Sequence, residues 1–194
     1  VAWIVAEWNV RIHRTPAYGE KLIQSTYAVG LKPSIQCKRR MEIRTAAGEL
    51  CAEGNAVLVR VDVSTGRLVK PAEELIALYR PEPEDETNER LPRLVAPKEF
   101  DAEVPVFLRR NDIDYNGHVH NANYFTLALE AMPKELYEKR QISAYRISYR
   151  SPIKESDVIT AKLSTDENSL TECFFSSDGA LKTIVSLELS PTFL

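Results

Sequence analysis

The sequence is short of the residues that announce the most easily recognised chemistries. Three cysteines stand at 37, 51 and 173, unevenly spaced and without a Cys-x-x-Cys pair. That argues against a disulfide framework or a structural zinc cluster and suits a reducing compartment. Buried, inert thiols are the ordinary expectation for such cysteines. Positive charge is not in excess. The formal charge is −3 and the pI about 5.7, which argues against a nucleic-acid binder. No apolar run approaches the length of a bilayer span, so no membrane association is expected. Histidine is scarce, three residues in 194. Against these absences, 44% of the chain is hydrophobic, enough for one large or two small domains with real cores.

Two of the three histidines fall in one stretch, Asn111-Asp112-Ile113-Asp114-Tyr115-Asn116-Gly117-His118-Val119-His120-Asn121-Ala122-Asn123-Tyr124. If this segment is extended, residues two apart share a side, and Asp114, Asn116 and His118 present an acid, an amide and an imidazole to one point. The helix that follows would turn its N-terminal N–H groups towards the same point, equipment for stabilising an oxyanion. The same residues have a plainer reading. An Asn-Gly step among Asx residues is ordinary turn chemistry, and Asn121 suits a helix N-cap.

Elsewhere the pattern is strand. Trp8, Val10 and Ile12 alternate with polar residues, as do Val57, Val59, Val61 and Val63; Tyr145, Ile147 and Tyr149; and Val185, Leu187 and Leu189. Period-two alternation over so many segments predicts antiparallel sheet with one buried face. Arg11-Ile12-His13-Arg14-Thr15-Pro16 resembles Arg146-Ile147-Ser148-Tyr149-Arg150-Ser151-Pro152, and each copy leads to a hairpin signal, Ala47-Gly48 and Asp178-Gly179. These matches in order predict an internal repeat. Residues 1–80 form the first copy and 99–194 the second. Between them, 81–98 holds four prolines and the acids Glu82, Glu84, Asp85 and Glu86. It reads as an extended, solvated linker whose acids could recruit a basic partner.

One long helix is predicted, Ala122 to Met132, stopped by Pro133. Being apolar on nearly every face, it should be buried. A curved sheet wrapped around one helix satisfies both signals, giving an α+β fold. The first copy lacks such a helix, with only Ala72–Tyr79 to cover its sheet. The repeat therefore implies a preceding strand and helix of about 50 residues.

With these residues in view, the chain resembles the acyl-acyl carrier protein thioesterases of plant plastids and bacteria. The likeness rests on Asp114-x-Asn116-x-His118, the helix start Val119-His120-Asn121-Ala122-Asn123-Tyr124, the flanks Arg109-Arg110-Asn111-Asp112 and Leu129-Glu130-Ala131-Met132-Pro133, and Trp8 with Arg14-Thr15-Pro16-Ala17-Tyr18-Gly19-Glu20 and Thr26. The resemblance implies a double hotdog, two curved antiparallel sheets each wrapped around a helix, with the chemistry in the second. It implies hydrolysis of fatty acyl-acyl carrier protein to free fatty acid, with Asp114, Asn116 and His118 in catalytic positions and no cofactor. The implied partner is a carrier protein bearing a phosphopantetheine-linked acyl chain. The implied compartment is a bacterial cytoplasm, or a plastid in a plant. A monomer and a homodimer both fit.

The chain departs from that family in three places. Plant members have a Glu, often beside a Cys, where this chain has Ser151-Pro152-Ile153, so Glu155 is the nearest acid. His120 stands for the usual first Asn. Gly117 replaces the plant Gln, pointing to a bacterial source.

Mechanistically, His118 is expected to serve as base or to orient water, since an imidazole ordinarily titrates near neutrality. Asn116 would position the water or the carbonyl, and Asp114 would fix the imidazole or act as base. Backbone N–H groups of Val119, His120 and Asn121 would bind the substrate oxyanion. An apolar slot near Trp3 and Trp8 would hold the acyl tail, and Lys38-Arg39-Arg40 or Arg109-Arg110 would dock an acidic carrier. The rival readings are an acyl-CoA thioesterase, a non-catalytic acyl-binding protein, and a metal hydrolase built on His118-x-His120 with Asp112 or Asp114.

Overall fold

The computed structural model describes residues 1–30, 36–83 and 91–191. The chain separates into two compact units, residues 1–92 and 93–194. In the first, strands β1 (Ala2–Ile12), β2 (Leu22–Val29), β3 (Gln36–Thr45) and β4 (Leu50–Asp62) form an antiparallel sheet in the order β2-β3-β4-β1, with the two-residue β5 (Arg67–Leu68) beside β4. Gly54 faces Val10 in this register. A Cβ there would lie 3.0 Å from both the Asn9 carbonyl oxygen and Val10 Cγ2, so only glycine admits β1 this closely.

One face of the sheet carries Trp8, Val10 and Ile12, all half-buried. The helix described in this unit, α1 (Glu73–Leu78), buries Ile76, and Tyr79 just after it meets Trp3 edge-on at 6.4 Å between ring centroids. Two acids in the first turn of α1 complement its dipole. The opposite face holds an ion network. Arg40, 5% exposed, pairs with Glu42 and Glu53, and His13 Nε2 lies 2.9 Å from Glu53 Oε1.

The second unit repeats the strand order. β6 (Ala102–Val106), β7 (Arg140–Tyr149), β8 (Ile159–Asp166), β9 (Ser169–Ser176) and β10 (Leu181–Pro191) run β7-β10-β9-β8-β6, all antiparallel. Thus β7, β8, β9 and β10 correspond to β1, β2, β3 and β4. Both expected hairpins are present, β3 to β4 through Gly48 and β9 to β10 through Gly179. Here a helix covers the sheet. α2 (Asn123–Ala131) buries Tyr124, Leu127, Ala128 and Ala131, one stripe of a 3.6-residue period. Phe125 packs on Tyr145 of β7 at 4.4 Å and Tyr124 meets Tyr149 edge-on at 5.1 Å. Burying Leu127 alone contributes about 2 kcal/mol. α2 ends where Met132 is forced into an extended conformation before Pro133, and the short α3 (Lys134–Lys139) leads into β7.

The linker read from the sequence falls partly on residues 84–90, outside the described residues, as do the acids Glu84, Asp85 and Glu86. Its described ends are tied down rather than free in solvent. Glu82 exchanges backbone hydrogen bonds with the Ala28–Gly30 edge, and the Leu94 carbonyl accepts from Arg150. No helix among the described residues is long and apolar enough to cross a membrane.

Candidate active site

The stretch Asp114–His118 is a tight turn, not the extended segment that alternation requires. Asp114 N–H donates to the His118 carbonyl at 2.7 Å and Gly117 N–H to the Asp114 carbonyl at 3.0 Å, closing a small hairpin in which Ile113 bridges Val119. Gly117 sits at φ +76°, a left-handed position that favours glycine. The plainer turn reading of the Asn-Gly step therefore describes the backbone.

The turn nevertheless brings the chemistry together by another route. Asp114 Oδ1 accepts from the backbone N–H groups of Asn116 (2.8 Å) and His118 (3.2 Å), and Oδ2 lies 3.3 Å from Asn116 Nδ2. Burial pushes the Asp114 carboxyl upwards, but the His118 and Asn116 donors overcome this and hold it below the usual carboxylate range. Asp114 is thus an ionised, oriented carboxylate. Asn116 is exposed and His118 half-buried. Among the described residues none hydrogen-bonds the His118 imidazole, so both ring nitrogens are open to a substrate or water. Tyr115, 97% exposed, stands out at the tip of the turn.

A second segment packs beside this hairpin. Val119 N–H donates to the Ile153 carbonyl at 2.8 Å, His118 bridges Lys154, and Glu155 N–H reaches the Gly117 carbonyl at 3.4 Å. Glu155, the nearest acid by sequence, is exposed. Asp157, which the sequence reading did not single out, caps this segment by accepting from Lys154 N–H at 3.0 Å and pairs with Lys182 at 3.1 Å.

The expected oxyanion donors narrow to one. Val119 N–H is taken by Ile153, and His120 N–H donates to the Asp112 carbonyl at 2.8 Å. Asn121 N–H alone of the three has no acceptor among the described residues. Asn121 is not the helix cap either; the cap position is Ala122, whose N–H lies 3.3 Å from His120 Nδ1. His120 thus shields the helix start, its Nδ1 placed to accept from the Ala122 N–H.

Of the ligands in the rival metal site, Asp112 is committed elsewhere. Asp112, 1% exposed, is held by Arg109 through guanidinium contacts of 2.9 and 3.2 Å and a backbone N–H at 2.7 Å, which keep its carboxyl below the usual range. Among the described residues no group of three His, Cys, Asp or Glu side chains is placed to hold a metal. The cysteines are free and buried, and burial pushes Cys173 up to about 11, away from nucleophilic use.

The basic runs are also less available than they read. Strand alternation turns Arg40 to the opposite face from Arg39, into its glutamates, while Arg39 Nε donates to Thr26 Oγ1 at 2.8 Å. Lys38-Arg39-Arg40 is therefore not a continuous basic surface. Arg109 is paired and Arg110 is exposed. In the first unit an apolar cavity of about 180 Å³ is lined by Trp3, Ala28, Cys37, Leu58, Ile76 and Tyr79, with Lys38 and Arg39 beside them. Trp8 is not among these residues.

Comparison with known proteins matches residues 1–79 to the acyl-ACP thioesterase N-terminal domain and residues 96–182 to the acyl-ACP thioesterase C-terminal domain. The chain is 23% identical over 175 residues to oleoyl-acyl carrier protein thioesterase 1 of Arabidopsis thaliana, covering 84% of this chain and 48% of the relative. It is 26% identical over 155 residues to the dodecanoyl-[acyl-carrier-protein] hydrolase of Cinnamomum camphora, covering 76% and 40%. Both relatives are chloroplastic. The chain spans about half the length of the curated relatives it matches. Among solved structures, the 12:0-ACP thioesterase of Umbellularia californica superposes with a TM-score of 0.85 at 19% identity, over 98% of this chain and 76% of that one. An acyl-ACP thioesterase of Bacteroides thetaiotaomicron gives 0.81 at 16%, over 97% and 76%. At these identities the likeness establishes the fold, an α+β hotdog architecture.

Proposed function

Because the chain belongs to the acyl-acyl carrier protein thioesterase family, we propose that it hydrolyses the thioester between a fatty acyl chain and the phosphopantetheine of its carrier protein. The observation that carries this reading is the Gly117 turn, which holds an ionised Asp114 against Asn116 and leaves the imidazole of His118 open. A thioester carbonyl is already electrophilic, so an activated water and a donor for the oxyanion suffice. His118 takes a proton as water adds to the carbonyl carbon. Asn116 orients the water or the carbonyl, and Asn121 N–H faces the developing oxyanion. The carbon–sulfur bond then breaks, and the proton held by His118 passes to the departing thiolate. Free fatty acid and the carrier's thiol result, with no cofactor consumed. Asp114 keeps the turn in shape. The cavity lined by Trp3 and its neighbours offers the apolar surroundings an acyl tail requires. This chemistry belongs where acyl carrier protein is found, a bacterial cytoplasm or a plant plastid.

Thiol release over a panel of acyl-carrier and acyl-CoA chains tests the proposal. Turnover should be present and greater on the carrier-bound series. His118→Ala should lower kcat by about two orders of magnitude, or about 2.7 kcal/mol of barrier, with the fold retained. Full activity in a folded His118→Ala protein removes the mechanism, and no thiol release from any substrate leaves an acyl-binding protein instead. Preference for CoA would move the substrate to the soluble thioester, a result that the interrupted basic run at Lys38–Arg40 makes worth measuring.

A further inference from the structure

The backbone donors of residues 150–155 and 157, beside the candidate site, can be accounted for one by one. Arg150 and Ser151 N–H groups donate to the Lys182 carbonyl, Pro152 has none, Lys154 N–H goes to Asp157, Glu155 N–H to Gly117, and Asp157 N–H to the Lys154 carbonyl. Ile153, fully buried, is the exception. Its N–H donates to the hydroxyl of Tyr124 at 3.0 Å, and Tyr124 is itself only 2% exposed on α2. The carbonyl of the same Ile153 receives Val119 N–H, next to His118. One phenol thus reaches the candidate site through a single residue. A second does so from the other side. Tyr149, whose ring stands edge-on to Tyr124, donates its hydroxyl to the Asn121 carbonyl at 2.8 Å, and the N–H of that same peptide unit faces the His120 ring. Burial raises the pKa of both phenols, so both stay neutral and keep their hydrogen bonds across the working pH range.

We infer that Tyr124 and Tyr149 are positioning residues: from beneath the site, their hydroxyls lock the two ends of His118–Asn121, fixing the imidazole and the Asn121 N–H relative to one another. A phenylalanine at either position would fill the same apolar space, so the hydroxyls are what this role requires. Among the described residues the buried Ile153 N–H has no other acceptor, and stranding it is costly. The effect on turnover rests on the thioesterase reading; the anchoring itself does not.

Tyr124→Phe and Tyr149→Phe in the full chain test both parts. Amide exchange at Val119 and Ile153 should accelerate roughly tenfold or more in Tyr124→Phe, the scale set by a stranded buried donor. Amides of β9 and β10 should be unchanged, a contrast that a general loss of stability would erase. In Tyr149→Phe the acceleration should appear at Ala122. On an acyl thioester that the unaltered protein hydrolyses, kcat should fall about tenfold for each variant while KM stays within about twofold, since misplacement of the reacting groups is felt in the transition state. Unchanged exchange at Val119 and Ile153 overturns the anchoring. Faster exchange with undiminished kcat overturns the positioning role. If the unaltered protein releases no thiol, the hydrolase reading fails by itself, and the exchange result alone decides the anchoring.

Discussion

Among the described residues, each unit buries one carboxyl or guanidinium side chain in a sheet of the same strand order, and the two are handled in opposite ways. Arg40 on β3 is surrounded by acceptors: Glu42 two residues along its own strand, and Glu53 on β4. The Glu42 carboxyl is pushed up by burial, but Arg44, Tyr27 and Arg40 together draw it below its usual range. Glu172 on β9 faces the α2 side of its sheet, in a row with Leu163 of β8 and Val185 of β10. It is 0% exposed, and neither carboxylate oxygen has a hydrogen-bond partner among the described residues. Burial pushes its carboxyl up to about 9, so at neutral pH it is held as the uncharged acid. A buried charge persists where partners meet it; where none do, the group gives up its charge.

The largest expected effect probes Glu172. Its folded pKa lies above the ordinary carboxylate value of 4.5. Between there and about 9 the unfolded chain has lost a proton that the folded chain keeps. Stability therefore falls as pH rises through that window, by about 1.4 kcal/mol per pH unit, and levels off above it. From pH 5 to pH 8 the contribution is about 4 kcal/mol. Glu172→Leu should remove it, so urea unfolding at the two pH values should show the variant losing far less stability than the parent. Equal losses would mean that Glu172 finds a partner on folding, and the contrast with Arg40 would dissolve.

Arg40→Met comes next. It takes the shared guanidinium from two glutamates, leaving Glu42 with Arg44 and Tyr27 and Glu53 with His13, and should cost about 3 kcal/mol at neutral pH. Both tryptophans, Trp3 and Trp8, lie in the first unit, so their emission follows that unit's unfolding. An unshifted urea midpoint would make the ion network ornamental. The smallest effect sharpens the comparison at the turn, where the second unit uses a carboxylate to hold backbone rather than another side chain. A Cβ on Gly117 would meet nothing within 4 Å, so Gly117→Ala isolates the strain of a positive φ. The expected cost is about 1 kcal/mol, with faster amide exchange at Asn116 and His118. A neutral substitution would show that the turn can be built without its glycine.

Much of the fold was legible because its signals are local. Alternation at Trp8–Ile12 and Tyr145–Tyr149 marked β1 and β7, and Pro133 marked the end of α2 within one residue. The candidate site stood out in composition and was misread in backbone: alternation suggested an extended segment, but Asn116-Gly117 is a stronger instruction, and the Asx carboxylate of Asp114 completes the turn. Arg40 was read with Lys38 and Arg39 as one basic run because adjacency in sequence hides opposite faces of a strand. Tyr124 counted only towards a helix apolar on nearly every face, since nothing local shows that a backbone N–H 29 residues away ends at its hydroxyl. Glu172 did leave a signal, an acid between Leu170 and Phe174 on one strand face.

The order of residues alone determined where strands alternate, where α2 stops and where the chain must turn, because sterics and side-chain period act over a few neighbours. Only the folded molecule decided that Val119 and His120 spend their N–H groups, that the Tyr124 and Tyr149 hydroxyls meet the backbone at Ile153 and Asn121, and that Arg40 keeps its charge while Glu172 does not. Those outcomes depend on which distant strand or helix comes alongside, and so on the register and burial that packing creates.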